Sequence, residues 1–103
     1  MLLGGFEFVL LGLLLGAAAV FLAIISVAAI MECVFEYWDE IEDDVLIVAP
    51  EASAELQKIA REKASKPYKR FVYNPATKDA VLVESNSISD ELRYEDVVTV
   101  SVR

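Results

Sequence analysis

Seven carboxylates crowd into thirteen residues: Glu32, Glu36, Asp39, Glu40, Glu42, Asp43 and Asp44. Oxygen donors so dense suit a hard cation such as Ca²⁺ or Mg²⁺. The EF-hand spacing and its turn glycine are missing, however, so no metal site is assigned. Farther along, Lys58, Arg61, Lys63, Lys66, Lys69 and Arg70 form a basic block interrupted only by Glu62. Nucleic acid is the first counterpart to weigh for such a block. The chain as a whole has 17 acids against 9 bases and a net charge of −8, which would repel a polyphosphate, so nucleic acid is excluded as a partner. Anionic lipid headgroups and the chain's own acidic segment, within one copy or between copies, remain as counterparts, beside the plainer reading of a solvated face. Lys58, Arg61, Lys66, Lys69 and Arg70 are therefore the candidate electrostatic contact.

Catalysis finds little support. With no histidine in the chain, Ser-His, Cys-His and His-metal chemistries are missing. The only cysteine, Cys33, stands beside Glu32 and Glu36, whose charges raise a thiol pKa and blunt its nucleophilicity. A single cysteine also excludes an internal disulfide. All four glycines precede residue 17, which leaves no glycine-rich loop to cradle a phosphate. The expectation is a non-catalytic protein with no cofactor and no small-molecule substrate.

The elements that would position these residues begin with an apolar run. From Phe8 to Met31, 24 residues carry one hydrogen-bonding side chain, that of Ser26. As a helix rising about 1.5 Å per residue, the run would be roughly 36 Å long and would cross a hydrocarbon layer of about 30 Å. It exceeds the apolar core of a signal peptide and has no basic residues before it, so it is read as retained. Gly5, Val9, Gly12, Gly16, Ala19, Ala23 and Ser26 follow at steps of 4, 3, 4, 3, 4 and 3. Small residues at that spacing let membrane helices approach closely, which makes Gly5, Gly12, Gly16, Ala19, Ala23 and Ser26 the candidate packing seam. The 3.5-residue repeat favours a left-handed crossing, and the embedded Gly12-Leu13-Leu14-Leu15-Gly16 a right-handed one.

Past the run, Met31, Val34, Phe35, Trp38 and Ile41 fall on one helical stripe, so the helix is expected to continue as an acidic amphipathic stalk to Asp44. Tyr37 and Trp38 would then be interfacial aromatic anchors. From Val45 the pattern becomes that of a small α+β domain. Val45–Ala49 reads as a buried strand stopped by Pro50, and Glu51–Ala64 as a helix opened by acids and closed by bases. Lys69–Tyr73 and Asp79–Glu84 read as a hairpin around Asn74-Pro75-Ala76-Thr77-Lys78. One helical turn is expected around Leu92, and Val98, Val100 and Val102 alternate as a half-buried final strand.

The expected architecture is thus a membrane protein of three parts. Residues 1–31 form a tail and a single long transmembrane helix, 32–44 the stalk, and 45–103 a small soluble β-α-β-β-β domain. With no Lys or Arg near either end of the span, its orientation is only slightly biased, toward a cytoplasmic C-terminal domain. Membrane lipid and other transmembrane helices are the expected partners. The expected role is a subunit that assembles, anchors or stabilises a homo-oligomer or larger membrane complex.

A long apolar N-terminal helix joined to a small β-rich domain, with the pair Gly5-Phe6 near the start, resembles filament subunits of the type IV pilin kind. The resemblance implies a filament or coat subunit, with the apolar helices bundled inside and the acidic domains facing water. The chain departs from that pattern in lacking the basic leader and in placing its acid at Glu7, not at the fifth position after the glycine.

Overall fold

The computed structural model describes residues 19–38, 41, 44–77 and 79–102, and the elements within them build one mixed sheet with a helix on each face. In chain order they are β1 (Val20–Phe21), α1 (Val27–Tyr37), β2 (Asp44–Val48), a 3₁₀ turn (Pro50–Ala52), α2 (Ala54–Lys63), β3 (Tyr68–Asn74), β4 (Asp79–Ser85), α3 (Asp90–Arg93) and β5 (Val97–Ser101). Across the sheet the strand order is β1-β4-β3-β2-β5. β1 runs parallel to β4, and every other pair is antiparallel.

Alternation along the strands separates two cores. Val45, Ile47, Val72, Val81 and Val83 point to one face, where Ile30, Val34 and Trp38 of α1 cover them. Val48, Phe71, Tyr73 and Leu82 point to the other, beneath Leu56, Ile59 and Ala60 of α2. The hairpin falls where the sequence places it: Asn74 Oδ1 accepts from the Ala76 amide at 3.1 Å, an Asx turn that starts the reversal. The helical turn at Leu92 and the alternating final strand also form, and Val98, Val100 and Val102 pack against the α1 core.

The N-terminal expectation is overturned. No helix among the described residues is long and apolar enough to cross a membrane. Within the apolar run, Val20 and Phe21 are extended and pair with Val83 and Glu84. The Leu22 amide donates to the Glu84 carbonyl at 2.8 Å, and the Ile25 amide to the Ser87 carbonyl at 2.9 Å. Backbone groups bonded sideways are not available to an i to i−4 ladder, so a helix cannot pass through this segment. Ser26 then starts α1 as its N-cap, with extended dihedrals and its hydroxyl accepting from the Ala29 amide at 3.1 Å. A carboxylate oxygen of Glu91 accepts from the Val27 amide at 3.0 Å, a negative charge at the positive end of the helix.

Three further expectations fall with the span. The single-pass placement with a cytoplasmic C-terminal domain loses the helix it required. The stalk ends at Tyr37 and not at Asp44, and its apolar stripe lies on the sheet. Val34 and Trp38 are buried there and Met31 and Ile41 half-buried, whereas Phe35, assigned to the same stripe, is 60% exposed. The physical reason is that hydrophobicity reports a demand for burial, not a backbone conformation. An uninterrupted apolar run lacks the period that separates helix from strand, and Val, Ile and Phe suit extended chain well.

Candidate functional site

Two surfaces stand out, one beside α1 and one at the end of the sheet. On the α1 side, Val20, Phe21, Leu22, Ala23 and Ile24 meet Ala29 and Cys33 in a groove of about 490 Å³, with Glu32 and Glu36 at its rim. β1 holds this segment against β4 for only two residues, so the chain turns outward at Ala23 and Ile24. Phe21 is left 54% and Ile24 41% exposed, an unusual display for large apolar groups. Half-buried Cys33 has its thiol pKa pushed up, first by burial and then by the Glu36 carboxylate. It is thus a small apolar wall of the groove more than a nucleophile.

A basic cleft opens at the end of the sheet, between α2 and the first residues of β3. β2 pairs with β3 as far as Val48–Phe71 and then turns away through Ala49 into Pro50, leaving the first residues of β3 without a β2 neighbour. The gap is a cleft of about 380 Å³ lined by Arg61, Lys69, Arg70, Arg93, Glu51 and Tyr68, among others. α2 contributes Arg61 because Ser53 caps the helix, its hydroxyl accepting from the Leu56 amide at 3.1 Å. Leu56, Ile59 and Ala60 turn inward, which leaves Lys58 and Arg61 exposed.

Arg70 is the unexpected member. A basic residue inside a basic block is expected in solvent, yet Arg70 is only 6% exposed. Its Nη1 donates to the Lys69 carbonyl at 2.7 Å, and its Nη2 to the carbonyls of Leu92 and Arg93 at 3.2 and 3.3 Å. Nε is buried and has no partner. Burial pulls the guanidinium pKa down, while Glu51 and Asp96 act against that shift. A signal was present in the sequence: Arg70 is in phase with Tyr68 and Val72 on β3, which face the α1 core.

The expected site residues scatter. Gly5, Gly12 and Gly16 lie outside the described residues. Ala19 packs beside the α2 core, Ala23 sits exposed in a bend, and Ser26 is the α1 cap, so these three share no helix face. Tyr37 is the last residue of α1. Trp38 is not an interfacial anchor: it is 8% exposed, and its Nε1 donates to Asp79 Oδ2 at 2.9 Å. Of the electrostatic set, the cleft gathers Arg61, Lys69 and Arg70. Lys58 stands free of it on α2, and the Lys66 ammonium lies 5.5 Å from the centre of the Phe21 ring, a cation–π contact.

Glu32, Glu36 and Asp44 are exposed, while Asp39, Glu40, Glu42 and Asp43 lie outside the described residues. Among the described residues the one ion pair is Arg93 with Asp90 at 3.9 Å, too exposed to contribute much. Comparison with protein-family models, with curated proteins and with solved structures finds no match to this chain.

Proposed function

We propose that this chain is a non-catalytic assembly component that associates head to tail with copies of itself. The observation carrying the reading is an imbalance of charge between the two helices: α1 has acids and no base, whereas α2 has Lys58, Arg61 and Lys63 against Glu55 and Glu62. Glu32 and Glu36 belong to α1 on one face, and Lys58 and Arg61 to α2 on the other. Bases and acids so placed meet between copies more readily than within one. The acid-rimmed groove, floored by Phe21 and Ile24, supplies apolar area, and the α2 face supplies the complementary charge.

Such a contact joins two different patches, so it is heterologous. Repeated, it closes into a ring or grows into a filament. That geometry favours the filament subunit as the second reading, without any need for a helix bundle.

Exposed ion pairs contribute only about 0–1 kcal/mol each, so the apolar groove must supply most of the affinity. Screening acts over about 10 Å at 0.1 M salt, and the association should weaken as salt rises. Light scattering and sedimentation of the full chain test the proposal. Phe21→Asp should abolish association, and Lys58→Glu with Arg61→Glu should weaken it at low salt. Mixing the second variant with Glu32→Lys/Glu36→Lys protein should restore it. A chain that stays monomeric at every concentration, or one indifferent to all these changes, overturns the reading.

A further inference from the structure

We infer that the cleft between the 3₁₀ turn, α2 and the start of β3 is a binding site for a phosphate-type oxyanion, with Arg70 as its buried cationic floor. The argument begins with an incomplete set of partners. A guanidinium carries five N–H groups and keeps its charge under all ordinary conditions. Three backbone carbonyls accept from Arg70, and each is neutral. No carboxylate among the described residues forms an ion pair with it. Nε is shut away from solvent with no acceptor at all. A buried charge without an opposite charge in contact is costly, and an anion in the cleft would relieve that cost.

The surroundings point the same way. Arg61, Lys69 and Arg93 join Arg70 around the cleft, against one lining carboxylate, Glu51. With the Asp90 carboxylate 3.9 Å from Arg93 also counted, four bases less two acids leave two net positive charges, which suit a doubly charged oxyanion better than a single carboxylate. Arg is the side chain whose fork matches tetrahedral and planar oxyanions, and Tyr68 and Gln57 add neutral donors at the wall. The volume of about 380 Å³ falls within the roughly 300–1,000 Å³ of small-ligand sites, so it holds more than one inorganic phosphate. The ligand class is therefore a phosphate monoester on a small organic body, with free phosphate as its minimal form.

A purely structural role makes a different prediction. Arg70 satisfies the carbonyls of Leu92 and Arg93, and it could serve only to hold α3 against β3. Calorimetric titration of the full chain with inorganic phosphate and, separately, glycerol phosphate decides between the two. Saturable binding of both, tighter for the ester, is expected. Lys69→Gln combined with Arg93→Gln leaves Arg70 in place and should weaken binding about tenfold or more, as loss of charge-assisted hydrogen bonds does. Lys63→Gln, outside the cleft, should leave it unchanged. Preference for free phosphate over the ester would assign the site to the inorganic ion. No saturable binding of either, or binding that survives the double change, overturns the inference and leaves Arg70 as a brace for α3.

Discussion

Helices α1 and α2 sit on opposite faces of the same sheet, and they reach their places by different routes. α2 is amphipathic: Glu55 opens it, Arg61 and Lys63 close it, and its buried residues are Leu56, Ile59 and Ala60. Its charges match the helix dipole and its apolar stripe matches its one buried face. α1 has no acid in its first turn and no base in its last. Its N-terminal end lies inside the apolar run, so that end is set by specific hydrogen bonds at Ser26 and from Glu91, and by the pairing of the chain before it. A helix that starts at a change in composition declares its own start; a helix that starts inside an apolar run has that start imposed from elsewhere in the fold.

The sharpest way to break that comparison is to cut into both cores. Ile30→Ala beneath α1 and Ile59→Ala beneath α2 should each cost about 2–5 kcal/mol in denaturant unfolding, because each empties a buried site. Both should give a single cooperative transition. An Ile30→Ala protein as stable as the parent would mean that α1 is not part of the packed unit.

Smaller effects test the caps. Ser26→Ala and Ser53→Ala should each cost about 1 kcal/mol, read as a shift in unfolding midpoint. The loss at Ser26 should be the lesser one, since Glu91 still serves the α1 terminus. Equal losses would show that the Glu91 contact adds nothing.

The smallest effect is kinetic. At about pH 8.5, where an ordinary thiol is half ionised, Cys33 should alkylate more slowly than free cysteine, because burial and Glu36 both raise its pKa. Glu36→Gln lowers that pKa, enlarges the thiolate fraction and should speed the reaction modestly, leaving the larger burial effect in place. Reaction as fast as free cysteine in the parent chain would contradict the half-buried position.

These contrasts explain what could be read from residues alone. The domain after Val45 was largely legible because its signals are local. Asn74-Pro75 marks the turn, Pro50 stops β2, and the valines of β5 alternate with Thr99 and Ser101. Boundaries moved by a residue or so, except that Ser53 divides the expected 51–64 helix into a 3₁₀ turn and α2. The N-terminal region was misread because Val20–Ile25 carries no period and its β pairing depends on Val83, Glu84, Ser87 and Ile88, more than sixty residues away. Ser26 was assigned to a packing seam, although serine before an apolar stretch is also the ordinary mark of a helix start. Within the basic cleft, residue types located Arg61, Lys69 and Arg70. The burial of Arg70 required knowing which face of β3 turns inward.

Trp38 is the only tryptophan in the chain, and it joins the end of α1 to the start of β4 through Asp79. It is therefore a built-in optical gauge of whether that helix is docked. A buried indole emits toward the blue and shifts to the red when water reaches it, so fluorescence reports undocking without a label. Because no other indole contributes, a red shift that precedes loss of the far-ultraviolet circular dichroism signal would reveal α1 leaving the sheet before the sheet itself unravels.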